Sequence, residues 1–468
     1  MPASSNKWVV LSVMMLGGIM GPLDASIVNV VLPTIASSFE AEIGTAQWVP
    51  MTYLLTISSL LLFYGRLGDM WGYKKVFLYG LGGFVITSAL CGLAPSIDWL
   101  IIFRALQGLA AGMMMSVPYA IIVRAFPATE RGKALGINAI TVALGLAIGP
   151  SVGGFITAQL GWRFVFFINL PIGIAATIWG FRVIPEEKGE GGRLDILGAA
   201  LAFLALSSFL LLVNQFHKWN LFSMSCACIC IMCTLAFVFW EKNTAQPLLP
   251  LRLFSNRLFS LANLAALLNF MSQYILVFVT PFYLQRALHY TPDEVGLVMT
   301  AFPMVVLAVA PFAGSLSDRI GSRALSCAGA AICALSLVLL AQLLNADSSQ
   351  TMASSIAWRL ALFGLGTSMF QSPNNSTVMG NAPKPHLGIA SGILATMRNV
   401  GMVMGIAVAG AVLYSFVPAE ILAHSYLDPS QGAAFVSGVS YAYITGALLT
   451  GIASIASVIP GHTSRMRS

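Results

Sequence analysis

The chain has 468 residues, 57% apolar and only 9% charged, far from the roughly 25% charged share of a soluble domain. That balance excludes a soluble enzyme or a disordered chain and describes an all-α polytopic membrane protein, because lipid offers backbone groups no partners and long apolar runs must cross it as helices. The net charge of +7 comes from basic loops, so it reports membrane orientation rather than a nucleic-acid partner.

About 20 apolar residues cross a ~30 Å hydrocarbon core as a helix. Such runs are predicted at 8–37, 45–64, 75–94, 99–123, 134–158, 162–184, 195–214, 221–240, 259–283, 293–316, 324–344, 356–379, 388–415 and 437–459. The first begins after Lys7 like a signal peptide, but it continues past Asp24 to Ala36 with no small-residue cleavage site, so a retained first helix is expected. Polar stretches at 185–193 and 241–257 bracket the seventh and eighth runs. The expected order is a six-helix bundle (1–184), a linker with two extra spans (185–258), a second six-helix bundle (259–460) and a short tail (461–468), a six-plus-two-plus-six arrangement around a central cavity.

With the N-terminus inside, 18 of the 24 Lys and Arg residues fall on cytoplasmic loops and tails and three outside. Both termini are therefore expected in the cytoplasm of a bacterial-type plasma membrane. Arg104, Arg359 and Arg398 remain within spans.

The two bundles read as copies of one pattern. Gly65, Asp69 and Gly72, followed by Lys74, recur as Gly314, Asp318 and Gly321 with Arg319; Arg104 precedes Pro118 by 14 residues, as Arg359 precedes Pro373. Gly132, Gly145, Gly149 and Gly154 recur at 388, 401, 405 and 410, an offset of 256. Parallel repeats of a six-span unit are built like a carrier that rocks one half against the other. Gly145, Gly149 and Gly153, four apart and joined by Pro150, let helices touch closely and are expected at the seam between the halves, matched by Gly401, Gly405 and Ala409. Asp69 and Asp318 are expected as latches of the cytoplasmic turns.

Asp24 is the only carboxylate placed well inside a span. Apolar surroundings favour a neutral carboxyl and a nearby guanidinium a charged one, so a poised acid can take and release a proton as its environment changes. Arg104 is the expected partner, with Gln107 a further acceptor.

These motifs resemble the major facilitator superfamily, and LDASIVNVVLP with the six-plus-two-plus-six count resembles its fourteen-span drug:proton antiporter branch. The loop pattern falls on Gly65, Leu67, Asp69, Gly72 and Lys74, the arginine motif on Arg104, Gln107 and Gly108, the antiporter motif on Gly145, Gly149, Pro150, Gly153 and Gly154, and the first-helix motif on Leu23, Asp24, Ile27, Val28, Asn29, Val30, Leu32 and Pro33. Met70 and Tyr73 stand where the loop pattern has basic residues. The resemblance implies export of amphipathic small molecules in exchange for protons, with no cofactor beyond the proton motive force and a monomer as the working unit.

Polar, aromatic and Met residues from both halves are the expected cavity lining: Gln47, Trp48, Tyr53, Met113, Asn138, Asn269, Gln273, Tyr274, Phe302, Gln371, Asn374, Asn375, Met397, Arg398 and Asn399. With one acid at that depth, a monovalent cation, a zwitterion or a neutral amphiphile is easier to accept than a dication. Cys226, Cys228, Cys230 and Cys233 lie in an apolar run and read as packing, and all five histidines fall in loops or tails, so no metal site is expected. A carrier of one dedicated metabolite, exporter or importer, and a transporter-like receptor are the alternatives; no catalytic constellation points to an enzyme.

Overall fold

A computed structural model describes residues 7–127, 130–186, 195–214, 220–244, 251–345, 353–383, 387–423 and 429–458. Every regular element in them is helical. The first set is α1 (Lys7–Ser38), α2 (Ile43–Ala46), α3 (Trp48–Trp71), α4 (Tyr73–Gly92), α5 (Ile97–Ser116), α6 (Pro118–Ala125), α7 (Arg131–Leu160), α8 (Phe164–Phe167) and α9 (Asn169–Val183). The linker pair is α10 (Ile196–Asn214) and α11 (Leu221–Asn243). After a short 3-10 turn come α12 (Arg257–Arg286), α13 (Pro292–Ile320), α14 (Ser322–Asn345), α15 (Ala353–Gly380), α16 (Leu387–Phe416), α17 (Ala419–Ala423) and α18 (Pro429–Val458).

Twelve described helices are long and apolar enough to cross a membrane, or thirteen if Ile43–Leu61 and Phe63–Trp71, bent by 54°, form one span. The fourteen predicted runs all coincide with helices, but α15 is less apolar than the others because Arg359, Gln371, Asn374 and Asn375 dilute it. Upstream of the bend, the hydroxyls of Thr52, Thr56, Ser58 and Ser59 donate to carbonyls one turn back, a bond that loosens and bends helices.

The packing repeats in the two sets. In the first, α7 lies on α1 and α5 lies between α3 and α4; in the second, α16 lies on α12, and α15 lies between α13 and α14. The sets meet through α7 with α13, α3 with α16 and α1 with α12, and α10 rests against both α3 and α16.

Glycine positions show why. A Cβ on Gly145 would stand 2.9 Å from the Ile19 carbonyl, on Gly149 2.6 Å from Ser26 Cβ, and on Gly153 2.9 Å from Ile27 Cγ2. These three therefore seat α7 on α1 inside the first bundle, which corrects the expectation that they form the seam between the halves. Gly401 and Gly405 do the same for α16 on α12, against the carbonyls of Leu267 and Met271. The seam lies on another face of α7, which carries Pro150 and Gly154 of the same motif. Gly154 abuts the Pro292 carbonyl and Gly296, the Pro150 carbonyl abuts Gly296, and Gly410 abuts the Gln47 side chain.

Among the described residues, hydrogen bonds join the sets at that same end, away from the basic loops. Thr34 donates to Gln285 at 3.1 Å, Gln285 to the Val30 carbonyl at 3.4 Å, Tyr414 to Glu42 at 3.2 Å and the Gly44 amide to Tyr414 at 3.2 Å, while the Ser151 and Thr300 hydroxyls stand 2.6 Å apart. At the basic end, a Cβ on Gly65 would meet nothing within 4 Å.

Candidate functional site

Asp24 sits on α1 two residues after Pro22, and Arg104 sits on α5, about 12 Å along from its Ser96 cap at 1.5 Å per residue. Gly108 and Gly112 let α5 press against the backbone and rings of α3, at the Tyr53 carbonyl and the Tyr64 ring. That close approach brings the long Arg104 side chain under α1. Arg104 Nη1 donates to Asp24 Oδ2 at 2.5 Å and to Gln107 Oε1 at 2.7 Å, and Nε donates to the Val49 carbonyl at 3.3 Å. Gln107 Nε2 returns a bond to Asp24 Oδ1 at 3.2 Å.

Both side chains of the pair have 0% exposure, against 33% and 37% for Lys7 with Glu130 and 33% and 38% for Arg66 with Asp69. The contrast decides their standing: exposed pairs contribute little, whereas removing one partner of a buried pair strands a charge at a cost of about 3–5 kcal/mol. The Tyr53 ring lies 4.1 Å from the guanidinium carbon, a cation–π contact that holds it from α3. Arg104 Nη2 and the Tyr53 hydroxyl are buried with no hydrogen-bond partner.

Two residues of this cluster escaped the sequence reading. Asn169, first residue of α9, donates to Asp24 Oδ1 at 3.1 Å and to Ser88 on α4 at 3.1 Å, and Ser88 donates to the Phe166 carbonyl at 2.8 Å. A polar residue two positions before Pro171 in an apolar run was the available signal. The acid is thus enclosed by α1, α4, α5 and α9 within the first bundle.

The predicted cavity residues disperse. Gln47 is at the seam against Gly410, with Trp48 beside it on α3. Met113 packs α5 on α4 at Gly80, and Asn138 sits on α7 by Gly18 of α1. Asn269 contacts Cys333, Phe302 packs on Phe363, and Gln371 donates to Gln273 at 3.2 Å, all inside the second bundle. Asn374 donates to the Ala262 carbonyl and lines a small open pocket with Arg323 and Ser326 near the basic end, while Asn375 is exposed and Met397 packs in the cluster of Phe259 and Val378. Tyr274 adjoins Gly405. Arg398 interacts electrostatically with Tyr274, and Asn399 beside it is buried.

Gly72 and Gly321 close the two matching turns at φ of 95° and 92°, a region that disfavours side chains. Asp69 accepts a 2.5 Å hydrogen bond from Tyr73 and pairs with Arg66 at 3.8 Å. Tyr73 thereby does with a phenol what a basic residue would do there, and Arg124 stacks over its ring at 4.7 Å. Lys74 instead donates to the Phe181 carbonyl. In the second copy Gly314 faces Ser372, Arg319 is exposed, and the Asp318 side chain lies outside the described residues. Cys226 on α11 is buried and Cys228 exposed, both free.

The chain is 34% identical to the riboflavin transporter RibZ of Clostridioides difficile (strain 630) over 440 residues, 94% of each chain. It is 32% identical to the multidrug resistance protein Stp of Mycobacterium tuberculosis (strain CDC 1551 / Oshkosh) over 421 residues, 87% of this chain and 77% of that one. Its fold matches that of a bacterial homologue of the human lysosomal transporter Spinster with a TM-score of 0.69 at 14% identity, over 98% of this chain and 97% of the other. The family model of the Major Facilitator Superfamily matches residues 14–251 and 262–460, and the chain belongs to that superfamily, a multi-pass membrane transporter of small molecules rather than an enzyme.

Proposed function

We propose that this transporter is a proton-coupled exporter of amphipathic small molecules, in which Asp24 carries the proton and Arg104 answers to its charge. The observation that supports this most is the wholly buried Asp24–Arg104 pair, whose carboxylate also accepts from Gln107 and Asn169. A protonated Asp24 would release the Nη1 contact and leave Arg104 to Gln107, Val49 and the Tyr53 ring, loosening α1 from α5 and α9. Fourteen spans arranged as six, two and six, with bundles at 1–184 and 259–460, a linker at 185–258, a tail at 461–468 and both termini cytoplasmic, complete the reading. On that orientation the two bundles meet at the outer end, so the described conformation faces inward with Asp24 paired.

The cycle runs from there. Substrate enters from the cytoplasm, the bundles rock outward, Asp24 takes a proton as substrate leaves, and the return stroke delivers that proton inside. No cofactor is required, and one monomer suffices. A potential of 100 mV is worth about 2.3 kcal/mol per net charge moved, enough for a gradient of about fiftyfold per charge.

Reconstituted into vesicles with an imposed proton gradient, the parent should accumulate an amphipathic fluorescent substrate against its gradient. Asp24→Asn should keep the folded, monodisperse protein and lose uphill transport; a variant that still concentrates substrate as the parent does refutes the assignment. A carrier of one dedicated metabolite is the second reading, favoured by the similarity to a riboflavin transporter. Transport confined to one compound across a chemically varied panel would select it.

A further inference from the structure

We infer that Arg398 forms a binding point for the negatively charged head of the substrate, so that the favoured cargo is an amphiphile bearing one carboxylate, sulfonate or phosphate. The inference rests on the export reading above and specifies the cargo.

Asp24 is the only acid placed deep in a span, and the structure commits it to Arg104. Arg359 donates to the Leu339 and Ser355 carbonyls and stacks on Trp358. Arg286, the last residue of α12, donates to the Leu422 carbonyl and leaves Nη2 buried without a hydrogen-bond partner. Arg398 lies deeper in its helix. It lies well inside α16, the twelfth residue of a helix of 30, and none of the ion pairs among the described residues includes it. Its Nε is buried with no hydrogen-bond partner.

Its surroundings explain the position. Arg398, Gly401 and Gly405 share one face of α16 at spacings of three and four, and the two glycines press that face onto α12 beside Tyr274. Arg398 is surrounded by protein yet keeps part of its surface accessible, unlike fully covered Arg104. A guanidinium left unpaired at that depth is costly unless something mobile neutralises it, and its fork of donors suits a carboxylate, sulfonate or phosphate. Tyr274 lies within electrostatic reach of both Arg398 and Tyr53, the ring that carries Arg104. An anion seated at Arg398 would be held by the second bundle, whereas the Asp24 pair belongs to the first. The sequence expectation that a monovalent cation, a zwitterion or a neutral amphiphile is easier to accept than a dication leaves out an anion, which this proposal adds.

The test uses three dansyl probes of one body and different charge: dansylglycine (anionic), dansylamide (neutral) and dansylcadaverine (cationic). Equilibrium binding is measured on the full-length protein in nanodiscs, against empty nanodiscs. The parent should bind dansylglycine the tightest. Arg398→Gln should weaken dansylglycine about tenfold or more and leave dansylamide within about twofold, and Arg398→Lys should recover most of the loss. Dansylcadaverine binding as tightly as dansylglycine, or dansylglycine binding unchanged in Arg398→Gln, overturns the proposal. Should Arg398→Gln fail to fold, Arg398→Lys with added chloride gives the second reading: weaker dansylglycine binding than the parent's, lost further in salt while dansylamide is unmoved, supports it, and salt-independent binding opposes it. Uphill export by Asp24→Asn would remove the coupling assignment and leave these binding results standing, so the two readings fail separately.

Discussion

Gly154→Ala should force apart the bundles at the end where they meet. The added methyl would run into the Pro292 carbonyl and stand 3.1 Å from both Asp293 Cα and Gly296 Cα. All three neighbours are backbone, so no rotamer can clear the way. Reaching ordinary carbon contacts of about 3.5–4.0 Å requires α7 and α13 to separate by about 0.5 Å or more. Overpacking of this kind costs about 1–3 kcal/mol, borne only by the conformation in which these helices touch, which shifts the conformational ratio by about 5- to 150-fold. Ser151 and Thr300, whose hydroxyls stand 2.6 Å apart, supply the assay. In a background with the seven native cysteines replaced, the pair Ser151→Cys and Thr300→Cys should cross-link readily, and adding Gly154→Ala should slow the reaction by a similar factor. Gly145→Ala, whose methyl would meet Ile19 inside one bundle, should lower thermal stability and leave cross-linking unchanged. Equal cross-linking rates with and without Gly154→Ala would refute the reasoning.

Arg104→Gln should strand the Asp24 carboxylate and lower unfolding stability by about 3–5 kcal/mol, and the added Asp24→Asn should restore much of that loss in a detergent melting assay without restoring uphill transport. Tyr414→Phe removes the hydroxyl that joins Glu42 and the Gly44 amide to α16; two bonds at about 0.5–1.5 kcal/mol each should slow cross-linking across the seam by about 5- to 150-fold. Gly410→Ala meets a Gln47 side chain rather than backbone, so its effect on the same assay should be smaller than that of Gly154→Ala and should be relieved by Gln47→Ala.

The residues that sequence identified are those whose chemistry is conspicuous in lipid or whose spacing repeats. Asp24 and Arg104 stand out because a charge in an apolar run is costly wherever its partner lies, and the structure brings the two together. Asn169 and Ser88 do not stand out, because a neutral amide or hydroxyl in a membrane helix is ordinary until a carboxylate is found beside it. The matched glycines revealed which helices repeat but not which surface they touch. Gly149 and Gly154 are five residues apart, about 140° around a helix at 100° per residue, and so face α1 and α13 respectively. Gly296, the partner across the seam, has no equivalent in any motif and becomes visible only once α13 is laid against α7. The cavity list is ambiguous for a related reason: a polar residue in a span can bond within its own bundle, as Gln371 does with Gln273 and Asn374 with Ala262, and sequence does not separate that use from facing a ligand.

The two halves keep one packing register and divide the electrostatics unequally. Arg104 and Arg359 occupy matching places in the repeat, yet Arg104 is fully covered and holds an acid, while Arg359 turns to the carbonyls of Leu339 and Ser355. The second bundle has no deep acid to hold: the place matching Asp24 falls at Ser272 or Gln273. Its own cation, Arg398, comes instead from α16, where the corresponding stretch of α7 carries Val142. On the proposed cycle, identical halves would give each step two competing proton sites. On that proposal the proton would act on the fit of α1 within the first bundle and an anionic cargo on α16 of the second, so the two events would be linked where the bundles touch. Tyr53 and Tyr274, one packed on Arg104 and the other beside Arg398, are the side chains placed to make that link.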